Sequence, residues 1–254
     1  MEAHRPHPPH RPPARRPAAL ARDPRGSGPL QAGVDGRGGR RASAGWTPPG
    51  DRPASLDAFQ RRAQGFRQPD AGGRYPGSPL FLRPALAAGD RLTLVELVDE
   101  PLAELRSLFA DDPVVEVVAG DGYAELAARA GDVDLVFVDP PYLVREEWER
   151  VAQAAIAATE AGARVALWYP IKALSRPAAL HNRLRAAGVP TLAMDLITGD
   201  LTKKKKALAG SGMLVTRPPD GLGARWAEAA AWLGPVLASD GEWSLRVQAW
   251  GVPG

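Results

Sequence analysis

The sequence predicts an α/β fold with a Rossmann-like, doubly wound, mostly parallel sheet. Its 254 residues, 44% of them hydrophobic, suit one α/β domain with an appended segment. From about residue 55 onwards, short apolar runs alternate with amphipathic stretches of helical spacing. Strands that alternate with helices favour a parallel sheet that is covered on both faces and joined by right-handed crossovers.

The elements follow one another in a regular order along this body. Helical spacing begins in SLDAFQRRA, from residue 55. Short apolar runs predict strands at residues 92–97, 114–119, 135–138, 164–169, 191–197, 213–216 and 243–250. Amphipathic spacing predicts helices at residues 100–109, 122–130, 145–160, 177–187 and 226–233.

Residues 1–54 differ from the rest in composition. They are rich in Arg, Pro and Gly and lack apolar periodicity, so they cannot bury enough apolar surface to offset the entropy of ordering. We therefore expect a disordered head. Residues 1–50 hold nine arginines and three acids, a charge of +6, so the remainder carries −3 of the net +3. Global basicity is thus poor support for nucleic-acid binding.

Several function classes are disfavoured by composition. The chain has no cysteine, which excludes disulfides and thiolate metal sites. Three of its four histidines lie in the head, and His181 is expected on a helix surface, so we expect no metal ion. No run approaches the roughly 18 apolar residues of a membrane span, and the start lacks the apolar core of a signal peptide. We expect a cytoplasmic monomer.

Acidic residues stand at the carboxyl ends of three predicted strands. Glu96 lies at the end of LTLVEL, Asp121 follows VVEVVA, and Asp139 follows LVFV. Ligands of open α/β sheets bind beyond this edge, where such carboxylates can accept hydrogen bonds from a nucleotide-like cofactor's ribose hydroxyls and adenine. The alternative is structural, because an acid such as Asp121 can cap the following helix.

The tetrapeptide Asp139-Pro140-Pro141-Tyr142 is the strongest signal in the chain. Two prolines make a stiff turn directly out of a buried strand. That turn would present the Asp139 carboxylate and the Pro140 carbonyl as paired acceptors for the two N–H groups of an exocyclic amino group. Tyr142 could stack on the base, a contact of about 1–3 kcal/mol. The alternative interpretation is a turn that only ends the strand.

These motifs resemble the bacterial 23S ribosomal RNA adenine-N6 methyltransferases. The resemblance covers about residues 55–254. It rests on RYPGSPLFLR, LTLVELVDEPLAELRSLF, VVAGDGYAEL, LVFVDPPY, ALWYPI and GSGMLVTRPP, in that order. It implies a class I methyltransferase fold, S-adenosyl-L-methionine as cofactor, 23S ribosomal RNA as partner, and no metal.

The resemblance also implies roles for individual residues. Ser78 would contact the cofactor, Glu96 would hold its ribose, and Asp121 with Gly122 would meet its adenine. Asp139 and Pro140 would form the catalytic acceptor pair, with Asp139 also bordering the cofactor. Tyr142 would stack on a target adenine that has left its helical stack.

One part of the family pattern is not found in residues 1–54. The family has a His-rich opening and a first strand that ends in a glycine-rich cofactor loop, whereas GVDGRGGR has glycines with no predicted strand before it. We therefore expect the first strand to be missing and the head to arise from a frame-shifted start. The alternatives are a non-catalytic RNA-binding relic, or an amino-methyltransferase that acts on DNA adenine or protein glutamine.

A run of four lysines, Lys203, Lys204, Lys205 and Lys206, lies between two predicted strands. It could grip RNA phosphates, with a salt-dependent contribution to binding. The alternative is a solvated loop without a binding role.

Overall fold

The structure is a computed structural model that describes residues 18–21, 51–65, 77–202, 208–238 and 241–252. Within these residues, eight strands form one sheet. They are β1 (Ala18–Ala21), β2 (Leu92–Glu96), β3 (Val115–Ala119), β4 (Leu135–Val138), β5 (Arg164–Ile171), β6 (Thr191–Ile197), β7 (Gly210–Thr216) and β8 (Ser244–Trp250). The helices are α1 (Ala54–Gly65), α2 (Ser78–Leu82), α3 (Asp99–Leu108), α4 (Gly122–Arg129), α5 (Glu147–Glu160), α6 (Ser175–Ala186) and α7 (Leu222–Leu237).

The strand order confirms the predicted Rossmann-like architecture. The strands lie in the order β3-β2-β1-β4-β5-β7-β6-β8. The first five are parallel to one another, while β7 is antiparallel to both of its neighbours and β8 is antiparallel to β6. Because β1 to β5 are parallel, their carboxyl ends share one edge of the sheet, called the carboxyl edge below.

The expectation that the first strand is missing was wrong. Residues Ala18–Ala21 form β1, which pairs in parallel with β2 on one side and β4 on the other. Without β1, the facing backbone groups of two buried strands would lack partners. This run of three alanines and one leucine is too short to show a period among the surrounding prolines and arginines. The remainder of residues 1–50 lies outside the described residues.

Helices pack on the sheet through apolar faces that the sequence spacing predicts. On α5, Val151, Ala152, Ala155 and Ala158 are each at most 1% exposed, and they meet the buried centres of β4 and β5. Alanines at this spacing let the helix approach the sheet closely. The second core cluster joins Leu105 and Phe109 with the leucines of β2. These two core clusters hold helices α5 and α3 against the sheet, and so position the loops that lead into them from the carboxyl edge.

A buried aromatic ring in β5 determines the shape of β7. Tyr169 is fully buried, and its hydroxyl donates to Asp195 Oδ1 at 2.7 Å and lies 2.9 Å from His181 Nε2. His181 is only 2% exposed, so the expectation of a surface position was wrong. Burial lowers the pKa of His181 despite the opposing charge of Asp195. Opposite the Tyr169 ring β7 has Gly212, where a Cβ would overlap the ring.

Replacing this glycine should destabilise the sheet. We expect Gly212→Ala to lower the free energy of unfolding by at least about 1–3 kcal/mol, because the new methyl group must displace a fully buried ring. Thermal unfolding followed by circular dichroism measures this. Gly131→Ala is the control, since a Cβ there meets nothing within 4 Å. Equal melting temperatures for the two variants would contradict the packing described here.

Candidate active site

The three acids predicted to converge do lie at the carboxyl edge. Strands β2 and β3 are in register up to Glu96 and Ala119, and β4 ends at Val138 beside the end of β1. Glu96 is therefore the last residue of its strand, whereas Asp121 and Asp139 begin the connections that follow β3 and β4. The edge carries a carboxylate after each of three parallel strands.

Glu96 is oriented by the backbone that follows it. Its side chain is 2% exposed, and Oε1 accepts hydrogen bonds from the N–H groups of Leu97 at 3.0 Å and Val98 at 2.9 Å. Hydrogen bonds from two backbone donors restrict the rotamers of the side chain that accepts them. The carboxylate of Glu96 is thus held in place before any ligand binds.

Asp121 caps a helix, as the structural alternative proposed. Its Oδ1 accepts from the N–H groups of Tyr123 at 2.8 Å and Ala124 at 3.4 Å at the start of α4, while Oδ2 accepts from Arg150 at 3.0 Å. Burial alone would raise the pKa of Asp121, but the hydrogen bonds from Arg150 and the two backbone groups lower it overall. A ligand that binds at Asp121 or at the adjoining Gly122 would therefore meet an ionised carboxylate. Both of its oxygens already accept hydrogen bonds, from Arg150 and from the start of α4.

The Asp-Pro-Pro-Tyr segment forms the corner after β4. Asp139 is exposed, Pro140 is buried, and Tyr142 has a left-handed φ of 51°. The Tyr142 hydroxyl donates to the carbonyl oxygen of Trp168 in β5 at 2.9 Å. The chain therefore turns sharply out of the sheet and is fastened to the neighbouring strand.

The Tyr142 side chain is more buried than the predicted stacking role suggests. Only 9% of the residue is exposed, and its ring lies 4.5 Å from the Trp148 ring between centroids. Burial, followed by the nearby charges of Tyr123, Asp139 and Glu147, raises the pKa of Tyr142 well above its ordinary value. The hydroxyl stays protonated and remains a donor to Trp168.

Glu147 is a site residue that sequence reasoning missed. It is 1% exposed, at the start of α5, and its Oε2 accepts from the N–H of Leu143 at 2.9 Å. This bond fixes the residue that directly follows Tyr142. In the sequence, Glu147 is only an acid in the first turn of a helix, where acids are common because they interact favourably with the helix dipole. Its burial distinguishes it from other such acids, and burial cannot be read from the sequence.

Ser78 and the lysine run are not joined to this site by the described contacts. Ser78 begins α2, and among the described residues its side chain has no hydrogen bond to Glu96, Asp121 or Asp139. Lys203, Lys204, Lys205 and Lys206 lie outside the described residues, although the strands on either side of them, β6 and β7, both have their near ends at the carboxyl edge.

The described residues contain neither a cluster of metal-binding side chains nor a membrane-spanning helix. They hold no group of three or more His, Cys, Asp or Glu side chains arranged to bind a metal ion. None of the helices that they form is long and apolar enough to cross a membrane.

A family model described as ribosomal RNA large subunit methyltransferase D, RlmJ, matches residues 46–250. The chain belongs to this family. Ribosomal RNA large subunit methyltransferase J of Escherichia coli (strain K12) is 29% identical over 208 residues, which are 80% of this chain and 74% of that protein. The Haemophilus influenzae protein of the same name is 28% identical over 184 residues, 70% of this chain and 65% of its own length.

A solved structure agrees with the fold. Protein LPL1258 from Legionella pneumophila has a TM-score of 0.74 and 19% sequence identity, with 92% of this chain and 89% of that chain covered. The family resemblance read from the motifs is thus confirmed, as is the methyltransferase-like α/β fold. The individual site residues stay predictions.

Glu147 should matter for catalysis through the corner that it holds. We expect Glu147→Ala to lower kcat for methyl transfer about tenfold or more, because the freed Leu143 N–H lets Tyr142 and the corner relax, a loss of about 1–3 kcal/mol. Glu147→Gln keeps a carbonyl acceptor and should restore most of kcat. Steady-state transfer of labelled methyl to large-subunit RNA measures both.

The control for this experiment is Glu146→Ala, which removes an adjacent exposed carboxylate. It should leave kcat unchanged. If Glu147→Ala folds and turns over as fast as Glu146→Ala, then Glu147 does not position the corner.

Proposed function

We propose that this chain transfers a methyl group from S-adenosyl-L-methionine to the N6 amino group of an adenine in 23S ribosomal RNA. The observation that carries this proposal is the rigid corner after β4, where Asp139 and Pro140 follow a strand that is paired on both sides. Family membership supports RNA methylation, and the corner supports an exocyclic amino group as the acceptor.

The residues at the carboxyl edge fit this cofactor. Glu96 is a buried carboxylate whose orientation is set by two backbone donors, and such a group can accept hydrogen bonds from ribose hydroxyls. Asp121, whose pKa is lowered, places a further carboxylate after the next strand. Because the cofactor carries a net positive charge, acidic neighbours favour its binding. The cofactor supplies an electrophilic methyl group that needs no metal ion for activation.

The corner would act on the target amino group by hydrogen bonding. Its two N–H groups donate to the Asp139 carboxylate and the Pro140 carbonyl, which turns the nitrogen lone pair out of the ring plane. Rates then rise by positioning, since nucleophile and methyl group are held in line. A nitrogen–carbon bond forms as the sulfur–carbon bond breaks, and the nitrogen then loses one proton. Asp139 is exposed, so it can pass that proton to water.

Tyr142 and its neighbours would receive the unstacked base. The Tyr142 ring is braced by Trp148 and by the bond to Trp168, so little of its freedom remains to be lost on stacking. Leu143 and Val144, which are 61% and 41% exposed, extend an apolar surface beside it. Contacts of this kind can offset the few kcal/mol needed to remove a base from its stack.

The described sheet favours a catalytic protein over an RNA-binding relic. Strand β1 occupies the centre of the sheet, so the strands around the proposed cofactor site are continuous from β3 to β5. We propose that residues 55–254, completed by β1, form the methyltransferase domain and act as a cytoplasmic monomer. Ser78 and Gly122 would be further cofactor contacts, and the lysine run would be a phosphate contact.

Removing the Asp139 carboxylate should stop methyl transfer without unfolding the protein. We expect Asp139→Ala to lower kcat on large-subunit RNA by at least about 10²-fold, because one of two acceptors for the amino group is lost at the transition state. The melting temperature should change little, since Asp139 is exposed. Asp132→Ala, an exposed acid before β4, is the control and should turn over normally.

Three substrates separate the alternatives in the same assay. Transfer to protein-free large-subunit RNA, with none to duplex DNA or protein, supports the proposal. Preferred transfer to duplex DNA would overturn the assignment of RNA as the substrate. Full turnover by Asp139→Ala would overturn the mechanism.

A further inference from the structure

We propose that Arg145, Lys172 and Arg176 form a cationic rim that binds RNA backbone phosphates beside the target base. Nothing in the motifs or the family comparison points to these three residues. The inference rests on the proposed function, because it concerns how the RNA is held while its adenine enters the site. Three observations support it: the positions of the three residues, the lack of partners for their side chains, and the distribution of charge along the carboxyl edge.

All three residues lie next to the corner. Arg145 is in the connection from the corner to α5, Lys172 directly follows the last residue of β5, and Arg176 is in the first turn of α6. Strands β4 and β5 are parallel neighbours, paired at Val138 and Leu167. Strand β5 continues four residues beyond Leu167 to Ile171, so its connection begins about 13 Å further out than that of β4. Lys172 and Arg176 therefore lie beyond the corner, on its β5 side.

The rim residues are exposed and are not paired within the described part of the chain. None of the three side chains makes a hydrogen bond or ion pair there. Four other arginines are paired with carboxylates: Arg83 with Asp112, Arg129 with Glu116 and Glu125, Arg150 with Asp121, and Arg183 with Glu149. An arginine already paired with a carboxylate must give up that contact to bind a phosphate, whereas the rim cations need not.

Charge is divided along the carboxyl edge. No acidic residue occurs between Glu160 and Asp195, a stretch that includes β5 and α6. The first turn of α6 has no acid, whereas the first turns of α3 and α5 have two each. The side with Glu96 and Asp121 is acidic and suits a cationic cofactor. Arg145 directly precedes Glu146, but Lys172 and Arg176 belong to the stretch without acids, which suits RNA. The corner lies between this stretch and the cofactor side.

The division explains why one edge can serve two ligands of opposite charge. A polyanion attracted to the rim is repelled by the acidic side, so it is guided towards the corner and away from the cofactor residues. Phosphate contacts position the nucleic acid without specifying its sequence. The rim would therefore set affinity and orientation, while the corner selects the amino group.

The experiment compares charge reversals on the full chain. Arg145→Glu, Lys172→Glu and Arg176→Glu are tested against Arg91→Glu, which reverses an exposed cation that directly precedes β2, at the opposite edge. Binding of a fluorescently labelled fragment of protein-free large-subunit RNA is measured by anisotropy over a range of salt concentrations. Calorimetric titration with S-adenosyl-L-methionine is run on each variant, as is steady-state transfer.

Each rim variant should weaken RNA binding by about fivefold or more near physiological salt, and should reduce the slope of log Kd against log salt by about 0.7–1. An unrelated single-stranded RNA should lose affinity equally. Cofactor affinity should be unchanged, and KM for RNA should rise while kcat at saturating RNA is retained. Arg91→Glu should behave as wild type.

Rim variants that bind RNA with the wild-type affinity and salt slope would overturn the inference. A loss that Arg91→Glu shares would also overturn it, since net charge rather than the rim would then be responsible. If the rim variants alone lose RNA affinity while the wild-type chain methylates no RNA, the rim stands as an RNA surface and the proposed function fails.

Discussion

The corner that follows β4 is the constraint on which the account depends. Strand β4 is paired with β1 and β5, so its end cannot shift sideways. The chain then passes through two prolines and a left-handed Tyr142, a conformation that costs a non-glycine residue about 1–3 kcal/mol. Its cost is offset by the Glu147 acceptor, the hydroxyl bond to Trp168 and the packing on Trp148. The backbone that carries Asp139 and Pro140, the proposed acceptors, is thereby held on both sides of the corner.

The carboxyl edge is organised by charge as well as by shape. Helix α5 serves both sides of the corner, because Glu147 holds Leu143 while Arg150, one turn later, pairs with Asp121 at the cap of α4. The same helix thus ties the proposed acceptor corner to the proposed cofactor side. No acid occurs between Glu160 and Asp195, the stretch that supplies Lys172 and Arg176. In the proposed function, this separation keeps the region that attracts the cofactor apart from the region that attracts RNA.

Most of the fold could be predicted from the sequence, but several details of the site could not. The alternation of apolar runs and amphipathic helices was sufficient to predict β2 to β8, since their apolar runs are separated by recognisable helices. It was insufficient for β1, whose four residues lie among prolines and arginines. The turn at Asp139 and Pro140 could be predicted from the sequence, because proline restricts the backbone wherever it occurs. The buried carboxylate of Glu147 and the inward position of Tyr142 depend on tertiary packing, which adjacent residues do not specify.

The identity of the methylated nucleoside tests the central claim most directly. Large-subunit RNA without modifications is incubated with the wild-type chain and isotopically labelled cofactor, digested to nucleosides and separated by mass spectrometry. Paired acceptors require an amino group with two donors, so the account predicts label in N6-methyladenosine and in no other nucleoside. Label on a ring carbon or on a ribose hydroxyl would contradict it, because neither position offers two N–H groups to the corner.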